Sequence, residues 1–217
     1  MKIFNGYKLN SEKTTVTEQT NVPDKNDENL DAYIDYSTTK VFDSKEIQEV
    51  IELCQGYKFA DAMVLNKVVS PSVRRSKIAW LPFPKYDKKT TWIYERMQEI
   101  SLQLNRDHYG FDLKGSQNLQ YAVYDDEYNG FYTAHADIAV HDKTNIRKLS
   151  ISVPLSDPTE YEGGVFLLNP GRNECIAMPQ PAGEAICFTS WQPHMITPVT
   201  KGTRRSLVMW CYGPRFV

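Results

Sequence analysis

The sequence predicts a mainly β domain, a sandwich or jelly roll, with α-helices ahead of it that buttress one sheet. Three observations carry this. From residue 118 onward, apolar runs of strand length alternate with turn residues: Asn129-Gly130, Asp157-Pro158, Gly163-Gly164, Pro170-Gly171 and Ala182-Gly183. Before that point, two segments repeat their apolar residues at helical spacing. The 41% hydrophobic and 12% aromatic content over 217 residues is enough for one well-buried core.

Residues 1–40 read as a polar arm, because Thr, Asn, Asp and Lys predominate from Asn10 to Asn29. So few large apolar side chains cannot form a separate core, so the arm is expected to pack on the body. Met1 to Leu9 and Tyr33 to Phe42 are its candidate strands. Residues 41–217 form the single domain. Asp43 and Ser44 are N-cap types, and Ile47, Val50, Ile51 and Cys54 recur at helical spacing up to a stop at Gly56. Arg74 to Pro84 looks extended. Thr90 to Asn105 is a second amphipathic helix, with Trp92, Ile93, Met97, Ile100 and Leu104 on one side. Strands follow at Asn118 to Tyr124, Tyr132 to Ala139, Leu149 to Leu155, Gly164 to Asn169, Glu174 to Met178, Glu184 to Phe188, His194 to Pro198 and Arg204 to Tyr212. Val64 to Pro84 and Asp125 to Gly130 are expected to flank the site entrance, the latter as a flexible lid.

A net charge of −2 gives no reason to expect a nucleic-acid surface. No apolar run reaches the length of a transmembrane helix. MKIFNGYKLN lacks the apolar stretch of a secretory signal, so a cytoplasmic protein is expected. The four cysteines (54, 175, 187 and 211) contain no CxxC pair and read as reduced core thiols. Oligomeric state is left open.

The chemistry concentrates in FTSWQPHMITPVTKGTRRSLVMW, Phe188 to Trp210. It reads as two strands joined by a turn at Pro198 to Gly202, with His194 at the end of the first. Upstream, YTAHAD (Tyr132 to Asp137) sets His135 and Asp137 two residues apart, which in an extended strand places them on one face. His135, Asp137 and His194 together make a two-histidine, one-carboxylate set that leaves metal positions open, as suits non-haem Fe(II). Mn, Co, Ni or Zn fit the same donors, and ordinary surface or core histidines are the plainer reading of either His alone. His141 reads as a solvated loop histidine. Arg204, ten residues beyond His194, suits bidentate binding of a carboxylate, and Ser206 faces the same way. A solvated Arg204-Arg205 pair is the plain alternative. Tyr124 and Tyr132 suit a pocket wall with a hydrogen-bonding tip.

These motifs resemble the iron- and 2-oxoglutarate-dependent dioxygenases, in their prolyl 4-hydroxylase-like branch. YTAHAD is similar to that branch's YxxHxD. LSISVPLSDPTEYEGGVFLL is similar to its strand, aspartate turn and GG hairpin. PAGEAICFTSWQPHMITPVTKGTRRSLVMW is similar to its AGxxxxF…HxVxPVxxGxR…W block. The resemblance covers residues 41 to 215 and is nearest to small prolyl-hydroxylase-type domains of bacteria and viruses.

The resemblance implies a double-stranded β-helix that uses Fe(II), 2-oxoglutarate and O2, with ascorbate as an accessory reductant. His135, Asp137 and His194 would hold the iron. Arg204, helped by Ser206, Tyr124 and Tyr132, would take the co-substrate. Arg147 and Trp210 match positions near the primary substrate. The implied reaction hydroxylates an aliphatic C–H, foremost a prolyl residue of a peptide or protein, and releases succinate and CO2. The sequence departs from the pattern at Pro154, where many relatives place a tyrosine on the distal carboxylate. Tyr124 or Tyr121 is the expected replacement. Three other readings stand beside this one: the same cofactors on another side chain, a free amino acid or a nucleobase; a non-catalytic metal-binding jelly roll; and zinc hydrolysis at the same triad.

Overall fold

The computed structural model describes residues 2–4, 7–9, 36–64, 68–170 and 175–216. Two antiparallel sheets face each other. The larger runs, edge to edge, through Tyr36–Lys40, Glu184–Thr189, Asn145–Pro154, Val199–Pro214, Gln120–Asp125, Lys77–Trp80 and Ala60–Asp61. Tyr161–Gly163 and Gly115–Ser116 pair with the two ends of the long strand Val199–Pro214. The smaller sheet runs Ile176–Ala177, Phe166–Leu168, His194–Ile196, Phe131–His135, Arg74–Arg75. This is the jelly-roll arrangement that the strand punctuation predicts.

Period-2 alternation explains why the two faces of the large sheet differ so sharply. Tyr121, Ile151, Val153, Leu207, Met209 and Cys211 point outward and join the main core under the helices. Their sequence neighbours point inward, between the sheets: Gln120, Ala122 and Tyr124 lie opposite Val208, Ser206 and Arg204, while Ser150 lies opposite Trp210. The outer face is almost wholly apolar. Each fully buried Leu or Ile there contributes roughly 1.5–3 kcal/mol, so the helix–sheet layer carries the stability. That leaves the inter-sheet space free for polar groups.

Helix α1 (Ser44–Gln55) starts from a capping box. Asp43 accepts the Glu46 amide at 2.8 Å, and Glu46 accepts the Asp43 amide at 3.0 Å. It buries Ile47, Val50 and Cys54. Helix α2 (Thr91–Leu104) buries Ile93, Tyr94, Met97 and Leu104, and Arg96 ties it to Glu46 at 2.9 Å. Both helices keep the expected apolar stripe. After α2 the chain makes a π-turn at Asn105–Tyr109 and exits through left-handed Gly110.

Several expectations change. Pro198 to Gly202 is not a turn, because the long strand already begins at Val199 and runs through Gly202. His194 therefore opens a separate short strand in the other sheet instead of closing one. The HAD strand stops at His135, leaving Asp137 beyond its end. Asp125 to Gly130 is no loose lid. Asp125 takes the Thr203 hydroxyl at 2.6 Å and Asp126 takes the Gly202 amide at 2.7 Å. The Val64 to Pro84 segment is largely short strands, with residues 65–67 outside the described set. In the arm, Lys2–Phe4 pairs with Tyr7–Leu9, and Tyr36–Lys40 docks on Glu184–Phe188. Residues 10–35, and with them most of the predicted packing of the arm, lie outside the described residues.

All four cysteines are buried, and burial pushes the Cys54 thiol up to about 12 and the Cys211 thiol to about 11. Among the described residues, no helix is long and apolar enough to cross a membrane.

Candidate metal centre

The triad forms where the small sheet meets the mouth of the large one. His135, at the end of its strand, pairs in register with His194, at the start of its own. Asp137 reaches back from just past the strand end. Its Oδ1 lies 3.7 Å from His135 Nε2, and its Oδ2 lies 3.4 Å from His194 Nε2. One donor atom from each residue falls within 4.8 Å of the others.

The outer nitrogens decide the tautomers. His135 Nδ1 sits 2.8 Å from the Thr133 carbonyl and His194 Nδ1 sits 3.0 Å from the Gln192 carbonyl. A carbonyl only accepts, so each Nδ1 carries a proton, and a neutral ring then turns its Nε2 lone pair toward the carboxylate. Two lone pairs facing an anion repel one another unless a cation lies between them. The donor set therefore fits a divalent metal on its own chemistry. Burial, reinforced by His194, lowers the His135 pKa to about 3, so this ring is neutral at neutral pH. Burial alone would raise the Asp137 pKa, but positive charge on His194 or His135, the Trp210 N–H and Arg147 more than offset it.

The surroundings hold these ligands in place. Ser150 donates to Asp137 Oδ2 at 2.8 Å and lies 3.1 Å from the Ser190 hydroxyl. The buried Trp210 indole N–H is directed at Asp137 and also favours its ionised form. Phe188 and Phe166 pack edge-on against His194, and Tyr132 stacks on His135 at 3.5 Å.

Arg204 is 1% exposed in the same inter-sheet space. Its Nε and Nη2 both donate to Gln180 Oε1, at 2.9 and 2.7 Å, and its Nη1 lies 3.4 Å from the Ser206 hydroxyl. The Tyr124 ring lies 5.5 Å from the guanidinium. Among the described residues no carboxylate pairs with it. A guanidinium buried on neutral acceptors alone is costly, and burial lowers its pKa. Pro154, buried opposite Ser206, offers no hydroxyl, and Tyr161 and Tyr124 are the tyrosines beside Arg204 instead. Tyr121 does not: it lies on the outer face against Phe59, where the period-2 rule places a residue three from Tyr124. Spacing alone gave no sign of Gln180 or Tyr161.

Arg147 lies flat over the Trp210 ring at 4.1 Å. Gln117 Oε1 accepts its Nε and Nη2 at 3.0 and 2.7 Å, and the Asp137 carbonyl lies 3.4 Å from its Nη1. His141 is exposed as expected, but it is not simply solvated. It stacks on Tyr212 at 3.7 Å and accepts from Gln117, which ties it to Arg147. A cleft of about 480 Å³ opens alongside, lined by Trp80, Phe83, Gln117, His141 and Tyr212 among others.

Residues 119–212 match the 2OG-Fe(II) oxygenase superfamily. The chain is 35% identical over 91 residues to a PKHD-type hydroxylase of Aliarcobacter butzleri, a match covering 39% of this chain. The chain thus spans about two fifths (39%) of the length of that curated relative. In fold, the chain is similar to a Pseudomonas putida prolyl-4-hydroxylase, with a TM-score of 0.66, 19% identity and coverage of 84% of this chain and 94% of the other. A Trichoplax adhaerens prolyl hydroxylase, solved with a hypoxia inducible factor peptide fragment, has the same TM-score and identity over 82% and 83%.

Proposed function

We propose that this oxygenase hydroxylates an aliphatic C–H bond, with a prolyl residue of a peptide or protein as substrate and succinate and CO2 as co-products. The observation that carries the reading is the pairing, within one inter-sheet space, of the His135-Asp137-His194 donor set with a buried, uncompensated Arg204. A metal-binding module needs the first and has no use for the second. Fe(II)- and 2-oxoglutarate-dependent CO2 release separates this reading from zinc hydrolysis at the same triad.

When bound, Fe(II) with 2-oxoglutarate and O2 supplies the oxidising chemistry, with ascorbate as its accessory reductant. The chain does the rest. His135, Asp137 and His194 hold the metal from one side, and Ser150 keeps the Asp137 carboxylate turned toward it. Arg204 takes the distal carboxylate of the co-substrate in fork geometry, aided by the Ser206 and Tyr124 hydroxyls. Phe166, Phe188, Ile186 and Ile196 line this space with apolar surface and exclude water. Arg147 and Trp210 present a flat cationic and aromatic surface to the primary substrate, and Tyr132 braces His135.

A peptide substrate is supported by the cleft beside Arg147 and by the peptide bound to the Trichoplax neighbour. The same cofactors acting on another substrate is the second reading, since the name of the PKHD-type relatives specifies no prolyl substrate. The test is succinate formation from 2-oxoglutarate after anaerobic loading with Fe(II) and admission of air, with and without proline-rich peptides. Peptide-stimulated succinate with one added oxygen on a proline supports the reading. Succinate without peptide stimulation removes prolyl specificity, and no succinate from metal-loaded protein removes the enzyme.

A further inference from the structure

A second guanidinium near the triad also lacks a counter-charge. Arg74, on the strand that pairs with Phe131–His135, is 8% exposed. Its Nε donates to the Ser76 hydroxyl at 2.7 Å and its Nη2 to Gln120 Oε1 at 3.0 Å, both neutral acceptors. Its guanidinium lies 4.6 Å from the centre of the Tyr132 ring, the same ring that stacks on His135. Arg96, by contrast, reaches a carboxylate, Glu46. Asp137 is the only buried carboxylate among the described residues, and it is committed to the two histidines.

Arg74 and Arg204 address different ligands. Gln120, which holds Arg74, stands four residues before Tyr124, which faces Arg204, on the same strand. At ~3.3 Å per residue their backbones are roughly 13 Å apart. A five-carbon diacid that meets Arg204 at one end and the metal at the other has no carboxylate left for Arg74. Two of Arg74's five N–H groups are used by Ser76 and Gln120, and the remainder are available to a fork-shaped acceptor.

We propose that Arg74 anchors a carboxylate of the primary substrate, so that the oxygenase selects substrates with an anionic group close to the reacting carbon. The anion is either a terminal carboxyl, as in a free amino acid or the last residue of a peptide, or an acidic side chain beside the target. This rests on the functional reading above and narrows its substrate class.

The test measures binding to Mn(II)- and 2-oxoglutarate-loaded protein by calorimetry, with two matched ligand pairs. One pair is alanyl-proline and alanyl-prolinamide. The other is a blocked proline peptide carrying aspartate next to proline and its asparagine counterpart. The carboxylate member of at least one pair is expected to bind about tenfold tighter or more. Which pair discriminates identifies the source of the anion. Arg74→Gln is expected to abolish that preference, whereas Arg204→Gln weakens 2-oxoglutarate instead. No preference in the wild type for either pair, or a preference that survives Arg74→Gln, overturns the proposal. If Arg74→Gln does not fold, Arg74→Lys is measured in its place: it keeps the charge but loses the fork, so it must reduce the preference or the proposal falls. Loss of 2-oxoglutarate binding by the wild type would count against the oxygenase reading itself, a different failure.

Discussion

Gln180 holds one edge of the Arg204 guanidinium with a neutral oxygen. Its Oε1 accepts both Nε and Nη2 of the guanidinium, at 2.9 and 2.7 Å, while its own amide nitrogen reaches the Gly164 carbonyl at 3.3 Å. A neutral acceptor orients the fork without cancelling its charge. Gln180→Glu would cancel it. The variant is expected to gain about 1–3 kcal/mol of stability and to lose at least about tenfold in 2-oxoglutarate affinity. Thermal unfolding and anaerobic titration of the Fe(II)–2-oxoglutarate absorption band read the two effects. An unchanged affinity would show that Arg204 does not receive the co-substrate.

The carboxylate of the triad depends on its own support. Ser150→Ala removes the 2.8 Å bond to Asp137 Oδ2. Metal affinity should fall about 10- to 100-fold, with little change in the far-ultraviolet circular dichroism. Asp137→Ala should abolish turnover in a folded protein. Full turnover in that variant would remove Asp137 from the site.

Acid should weaken the metal-free protein. His135 has a folded pKa lowered to about 3 by burial, well below the ordinary histidine value of about 6.5. Between these values the unfolded chain binds the proton and the folded chain does not. Stability from this group is therefore complete above about pH 6.5 and falls as pH drops toward about 3. Asp137, whose pKa is also lowered, acts in the same direction at the acid end. Melting temperatures of metal-free protein between about pH 7.5 and 4.5 should decline, and His135→Gln should flatten that slope.

Gly202 lets the long strand bend where it approaches Tyr161. Its φ is +73°, and a Cβ there would overlap the Glu160 carbonyl oxygen. Gly202→Ala should cost about 2–3 kcal/mol. Because the bend lies two residues before Arg204, 2-oxoglutarate affinity should drop as well. A chemical denaturation curve with the wild-type midpoint would refute the role of the bend.

Much of this molecule was legible in local pattern. The helix from Ser44 to Gln55, its cap at Asp43 and its end at Gly56 follow from side-chain preferences that act within one turn. The alternation along Gln120–Asp125 and Val199–Pro214 sorts Tyr121 and Leu207 to the core and Tyr124, Arg204 and Ser206 to the inner space, because a strand has a strict period of two. The His135, Asp137 and His194 set could be named because few residue types bind metal and their motif context is specific. Tertiary structure decided the rest. The apparent turn at Pro198 to Gly202 lies in or beside one continuous strand, since pairing with Tyr161–Gly163 outweighs local turn preference. Gln180 and Gln117 meet Arg204 and Arg147 from 24 and 30 residues away, and Arg74 meets Gln120 across 46. Such partners leave no periodic trace in the chain. Hydrogen bonding between distant segments depends on where the sheets bring them, and only the folded chain holds that information.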